Sequence, residues 1–440
     1  MRDPTGPDFI SDLPQSIIES ILTRLPIRDA VRTSILSSKW RYKWATITQL
    51  VFNDKCVALY NDQDAEVVEK HLIDFITRAL FLHKGPIHKF ELSSACLPSC
   101  PDVDQWILFL SRNGIKELVL DLEQSEWFRI PSCLFQCRKL THLELCKCEF
   151  DPPSTFKGFA SLKSLKLHQV LVSPDVIESL ISSCPLLESL EFTYADGLAL
   201  SISAPNLKYL CLDGEFKDIS LENTQSLVEL FIDMYVPDYI ANHHDQVTEY
   251  LGQSSSCKFT KFLGKVPLLE KLTGKVYFTK YLSIGLHLGR QLAITYNHLK
   301  FIELGQVNFE DEKEILVVLL LINSAPNLEE FQISPGSPTP PDSLTDTEEA
   351  DDLNLWEKES LLRCKFEKLR VVKMKDMCGF SHEMELIKFL LSRSSVLETM
   401  YVIPSVNVIN GRMNILIELV RFRRASAQAE ILFIKNKALM

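Results

Sequence analysis

The densest set of side chains able to hold a metal is Cys133, Cys137, His142, Cys146 and Cys148. Zinc takes thiolate and imidazole ligands, and its structural sites usually present them as closely paired cysteines with two residues between them. No such pair occurs in this set, and Cys148 falls where leucine-rich sequence repeats place a turn-satisfying Asn or Cys. His382-Glu383 can open a zinc-binding helix, but position 386, where the second histidine belongs, is Leu386. The chain has no phosphate-loop pattern, no G-x-G-x-x-G and no G-x-S-x-G. The expectation is therefore a non-enzymatic protein with no catalytic residue, no cofactor and no metal.

Composition narrows the remaining classes. The chain has 440 residues, 46% hydrophobic and 24% charged, with a formal net charge of −11. That is enough apolar content for a sizeable core. The acidic balance argues against nucleic acid as a partner, because phosphate binding needs a basic footprint. The start, MRDPTGPDFISDLP, has no apolar run of export-signal type. The longest aliphatic run, Ile315 to Ile322, is far short of the roughly 20 residues that span a bilayer. No membrane partner is expected, and the expected location is the cytoplasm and/or the nucleus. The twelve cysteines read as reduced, mostly buried thiols.

Internal repeats set the architecture. The pattern apolar-x-x-apolar-x-apolar appears at Ile87, Phe90, Leu92 and at Ile115, Leu118, Leu120. It continues through Leu140, Leu162, Leu187, Leu207, Leu227, Leu299, Leu328, Leu369 and Leu397. From Ile115 to Leu227 the interval is 20 to 25 residues, the period of a leucine-rich repeat. One short strand and one return segment make each unit. No unit can hide its apolar side alone, so neighbours must stack. Ser173-Pro174 followed by Val176, Ile177, Leu180 and Ile181 predicts a helical return segment. Between Leu227 and Leu299 only a damaged copy appears, at Leu269 and Leu272, with Gly274 in the third apolar place. An irregular or inserted region is expected there, with a loop around Asn242, His243 and His244.

Residues 8–50 differ in texture. Ile17, Ile18, Ile21, Leu22 and Leu25 form a broad apolar stripe at helical spacing, and Pro26 ends it. Ala30, Val31 and Ile35 suggest a second helix; Leu36, Trp40 and Trp44, four apart, suggest a third. Pieces this small rarely bury enough surface to fold alone. Part of the stripe must meet either the repeats, as a cap, or another protein.

The segment DLPQSIIESILTRLPIRDAVRTSILSSKWRYKW resembles the F-box motif in its plant-type form. That resemblance implies docking on a Skp-type adaptor and, through it, a cullin–RING ubiquitin ligase. Carried over position by position, it implies Leu13, Pro14, Ile17, Ile21, Leu25, Pro26, Val31, Leu36 and Trp40 as adaptor contacts, with Trp44 in the core.

At the other end, residues 335–360 hold eight acids, one lysine and four prolines and read as an acidic loop. The stretch CKFEKLRVVKMKDMCGFSHEMELIKFLLSRSSVLETMYV resembles the FBD module. Met384, Ile387, Leu390 and Leu391 supply the apolar side of its helix, and a last helix and strand would close the repeat edge. The implied whole is an α/β chain: a three-helix F-box at 8–50, a connecting helical segment at 51–86, a curved leucine-rich-repeat solenoid at 87–334, and an FBD cap at 361–440. It resembles the plant-type F-box/FBD/leucine-rich-repeat family. The resemblance implies a substrate-recognition subunit of a Skp–cullin–F-box ubiquitin ligase. The alternative is a binding scaffold or small-molecule co-receptor not committed to ubiquitination.

An unknown protein target would meet the strand residues that flank the inward pair. Ten acids and four bases at those positions leave about −6, with aromatics between them. Glu144, Glu191, Asp213, Phe231 and Asp233 are the expected target contacts, suited to a basic segment.

Overall fold

The computed structural model describes residues 13–60, 64–95, 97, 102–122, 127–241, 244–252, 258–286, 295–336, 365–406 and 412–434. It divides into two compact units, Met1–Tyr194 and Ala195–Met440.

The first unit opens with helices α1 (Gln15–Thr23) and α2 (Ile27–Arg32), then a short 3-10 turn over Thr33–Ile35 and another over Lys43–Thr46. Strand β1 (Gln49–Asn53) follows, then helix α3 (Ala65–Leu82), β2 (Lys89–Ser93), helix α4 (Val103–Arg112) and β3 (Glu117–Asp121). Next come β4 (Phe128–Arg129), β5 (His142–Cys146), β6 (Cys148–Glu149), β7 (Ser164–His168), helix α5 (Pro174–Ser182) and the start of β8 (Ser189–Ser203). Strands β1, β2, β3, β5, β7 and β8 pair in parallel, each with the next. β4 and β6 form a small parallel pair of their own.

Register explains why the repeat pattern works. Leu50, Phe90, Leu118, Leu143, Leu165 and Leu190 stand side by side, and so do Phe52, Leu92, Leu120, Leu145, Leu167 and Phe192. Both rows are buried throughout. Alternate strand residues face one side, so two apolar positions per strand suffice to build a continuous core. A backbone device repeats with them. The carbonyl just ahead of one strand takes two successive N–H groups from the next unit. Lys116 O accepts from Thr141 N at 2.7 Å and His142 N at 3.1 Å, and Lys163 O from Glu188 N at 2.8 Å and Ser189 N at 3.0 Å.

The first solenoid strand lies earlier than the sequence boundary at 87 suggests. β1 carries a full copy of the pattern, Ile47, Leu50 and Phe52, all buried. The copy is hard to recognise because α3 lengthens the interval to the next. Helix α5 starts at Pro174 as expected, although the Ser173 side chain makes no capping bond.

The second unit continues with the rest of β8, then β9 (Tyr209–Glu222), β10 (Glu229–Tyr235), β11 (Lys271–Gly274), β12 (Phe301–Val307) and β13 (Glu330–Pro335). β14 (Val371–Met377), β15 (Thr399–Pro404) and β16 (Glu430–Phe433) complete it, all parallel from β9 onward. The damaged copy is thus a working strand. The ring of Phe278 occupies the space beside Gly274, where an added Cβ would lie 2.0 Å from Phe278 Cδ1. The core volume missing at position 274 is supplied from four residues downstream.

The inserted region is helical: α6 (Asp238–Ala241), α7 (His244–Leu251), α8 (Lys258–Leu263) and α9 (Phe278–Ser283). The expected loop around Asn242 and His243 lies outside the described residues, and a helix begins at His244. Buried Lys258 donates to Asp218 on β9 at 2.6 Å, and Tyr281 donates to the same carboxylate at 2.8 Å. Burial alone would raise the Asp218 carboxyl, but the two donors win and hold it below its ordinary value.

The aliphatic run Ile315–Ile322 lies in α10 (Glu312–Asn323), and every residue of the run but Leu320 is buried; it is a core helix. No described helix is long and apolar enough to cross a membrane. After β14 come α11 (Ser381–Arg393) and α12 (Arg412–Arg421). Met384, Ile387, Leu390 and Leu391 are buried on α11 as expected. The acidic segment lies almost wholly outside the described residues.

Glu314, in the first turn of α10, is a buried carboxyl that accepts from Thr279 Oγ1 at 2.6 Å and Asn308 N at 3.2 Å. Burial raises it to about 7 despite those donors. A raised folded-state value favours the protonated acid. Its stabilising effect is complete below about 4.5 and is lost as pH rises through about 7. Glu314→Gln keeps an acceptor for both donors and cannot ionise. It is expected to melt above the parent at pH 8 by the equivalent of roughly 3 kcal/mol, with the gap shrinking toward pH 4.5. A melting difference that does not change with pH would refute this.

Candidate docking site

Each Leu-Pro pair in the amino-terminal module opens a helix. Pro14 O accepts from Ile17 N at 2.9 Å and Ile18 N at 3.2 Å, and Pro26 O accepts from Asp29 N at 2.8 Å and Ala30 N at 3.0 Å. Both prolines are the flanking residues of their helices, with extended backbone. The ring fixes φ and needs no donor, which suits that place.

The expected third helix does not form. Trp40 N donates to Ser37 O, Lys43 N to Trp40 O and Ala45 N to Tyr42 O, all three-residue steps of turns and 3-10 structure. This tighter path packs Lys43–Thr46 against both α1 and α2. Lys43 Nζ donates to Gln15 Oε1 at 2.7 Å and so ties the turn to the start of α1.

The apolar stripe divides in two. Ile18, Leu22, Ile27, Ala30, Trp40, Trp44, Ala45 and Ile47 are buried. Ile17 and Ile21 on another side of α1, and Leu25 just after it, stay 46%, 40% and 37% exposed, and Leu36 is 68% exposed. Pro14 and Pro26 are exposed, and Leu13 and Val31 are half-buried. Trp40 departs from expectation: at 5% exposure its ring belongs to the module's interior, so it is not an outward contact. Two exposed groups escape the helical-spacing argument. Ile35, grouped with Ala30 and Val31 in the expected second helix, is 83% exposed, and Tyr42 is 51% exposed. The 3-10 turn over Thr33–Ile35 advances faster per residue than an α-helix and swings Ile35 outward.

The module is fastened to the first repeat. Thr48 O accepts from His88 N at 2.8 Å and Lys89 N at 3.1 Å, the same paired acceptance seen at Lys116 O and Lys163 O. Lys84 N donates to Ala45 O at 2.7 Å. Buried His83 meets Ile47 O through Nε2 at 2.8 Å, and burial lowers its imidazole below the ordinary range.

The five expected target contacts fall into two groups. In the first unit, Glu144 and Glu191 flank Lys166 in register. Lys166 Nζ lies 3.1 Å from Glu191, and His142 lies 3.6 Å from Glu144 and helps hold that carboxyl low. In the second unit, Asp213 and Asp233 stand opposite each other on β9 and β10, with Phe231 two residues before Asp233. Burial first, and then Asp213, raise the Asp233 carboxyl. The count of −6 needs correction, because Lys271 and Lys275 join the strand faces. Lys271 lies 3.7 Å from Glu229, Lys275 2.6 Å from Glu303, and Lys373 2.7 Å from Glu330. Asp213 and Asp233 are two acids that adjoin across the strands.

Of the cysteine group considered for metal, Cys137 and Cys148 are buried thiols. Burial pushes Cys137 up to about 12 and raises Cys148 as well. Both are therefore neutral core groups at physiological pH.

Known proteins share this arrangement. Residues 10–47 match the model described as F-box domain. Residues 103–249 match the model described as FBD-associated F-box protein At5g56370, LRR repeats. The F-box/FBD/LRR-repeat protein At1g13570 of Arabidopsis thaliana is 57% identical over 98% of this chain and 99% of its own length. The FBD-associated F-box protein At5g56370, also of Arabidopsis thaliana, is 25% identical over 97% of this chain and 100% of its own. With an F-box at its start, leucine-rich repeats behind it and near full-length identity of this degree, the chain belongs to the F-box/FBD/LRR-repeat family.

Proposed function

We propose that this chain is the substrate-recognition subunit of a Skp–cullin–F-box ubiquitin ligase. The F-box docks on the Skp-type adaptor, and the repeats hold a target protein for ubiquitination. The observation that carries the reading is that Ile17, Ile21, Leu25, Ile35 and Leu36 stay exposed among the described residues. Covering each by a partner is worth roughly 1–2 kcal/mol, since each is already partly buried or only partly coverable. In this reading the ligase supplies the chemistry and the chain supplies proximity.

The fastening of the F-box to the first repeat supports this reading. A target held on the repeats of the first unit keeps a fixed position relative to the adaptor. Asp213, Asp233 and Phe231 suit a basic segment of the target, because two adjoining half-buried acids gain most from an incoming cation.

Three measurements test the proposal. Ile17→Asp with Leu36→Asp is expected to abolish co-purification with a Skp-type adaptor while leaving the melting temperature within a few degrees of the parent. Retained co-purification would remove the docking assignment. Trp40→Ala, in contrast, should destabilise the whole first unit by about 3–5 kcal/mol, as large-to-small core changes do; a melting temperature unchanged by it would place the indole outside the core. Proximity labelling in native cells, comparing the parent with Asp213→Asn plus Asp233→Asn, should show a reduced set of basic target segments. An unchanged set would count against the strand-face contact.

A further inference from the structure

Ser392 and Arg393, at the end of α11, and Arg423, Arg424 and Ala425, just after α12, line a recess of about 330 Å³. Its two walls are fixed to each other. Ala425 N donates to Leu391 O at 2.9 Å, and Ser426 Oγ donates to Leu397 O at 2.7 Å. Arg424 Nη1 donates to Ala429 O at 2.9 Å, which holds its stem in place and leaves the rest of the guanidinium for another group.

The charge at this recess is not balanced in the way it is on the strands. In the same unit, Lys275, Lys373 and Lys375 each lie within 4 Å of a carboxylate. Neither Arg423 nor Arg424 forms an ion pair among the described residues. The carboxyl end of α11 offers about half a negative charge from its backbone dipole. The two guanidiniums of Arg423 and Arg424 exceed that several-fold. In a chain of net charge −11, this is a local concentration of cations that helix-end compensation does not account for.

Guanidinium groups present parallel N–H donors that match the oxygens of a phosphate, and a doubly charged ester gains more from them than a single carboxylate does. The volume lies at the lower end of ligand-pocket sizes, roughly 300–1,000 Å³. It suits one charged group on its stem better than a polymer tracked along a groove. We propose that this recess is an anion site that takes the phosphate monoester of a phosphorylated serine or threonine in a partner protein. The site does not depend on the adaptor assignment.

The test uses the full chain and a fluorescein-labelled degenerate peptide pool with one fixed phosphoserine, read by fluorescence anisotropy. Saturable binding is expected, competed by millimolar inorganic phosphate and weakened at least tenfold by Arg423→Glu. Arg423 is exposed, so melting of that variant should match the parent. Arg423→Lys keeps the charge but not the paired donors and should lose an intermediate amount. The proposal is overturned if Arg423→Glu binds the pool like the parent, if a pool with glutamate in the fixed position binds equally, or if polyuridylate binds better than the phosphopeptides.

Discussion

Every part of this molecule answers to one constraint: a single strand-and-return unit has two apolar residues on its inner side and nothing of its own to cover them. Burial comes only from the unit before and the unit after. The consequence is visible in the register, where each pair of core residues is flanked by its counterparts on both neighbouring strands. The backbone reinforces it through carbonyls that each catch two N–H groups of the next unit. Where a copy lacks a core side chain, as at Gly274, a ring from a following helix takes its place and the stack is not interrupted.

The same constraint explains how the F-box is held. Its two helices and its turns share a small interior built around Trp40 and Trp44. That interior leaves an edge uncovered on α1 and on the segment that follows α2. Through Thr48 the module enters the carbonyl ladder of the repeats as if it were the preceding unit. One side of the module is thus committed to the chain, and the other faces outward. The two readings considered from sequence, cap and docking module, are compatible in this sense: one side of the small module meets the first repeat and another stays exposed.

Electrostatics follows the strands as well. Acids and bases on neighbouring strands are brought within ion-pair distance by the parallel register, so a simple count of acidic positions overstates the charge a target would meet. Exposed pairs of this kind contribute little stability individually, and their main effect is to set where charge is left over. What is left over is uneven. Acids adjoin at Asp213 and Asp233, and cations gather at the recess beside α11.

The repeat architecture, the first two helices of the F-box and the buried side of α11 were legible in the sequence, because periodic apolar spacing reports directly which side of an element is covered. The exposed edge of α1 was legible in outline for the same reason, through Ile17 and Ile21. Other features depended on where the chain goes next. Lys147, Gln169 and Tyr194 share one place in their repeats, two residues after the second core position, and all take left-handed backbone, as do Gln306 and Asp376. That conformation costs an ordinary residue roughly 1–2 kcal/mol, and no common residue type announces it. It is imposed by the ladder, since Lys147 N and Gln169 N must reach His168 O and Thr193 O on the following strands. The inward turn of Trp40, the outward swing of Ile35 and the meeting of arginines from distant segments have the same origin. Local spacing determines which face of an element is apolar, but only the packing of one element on another decides which part of that face stays open.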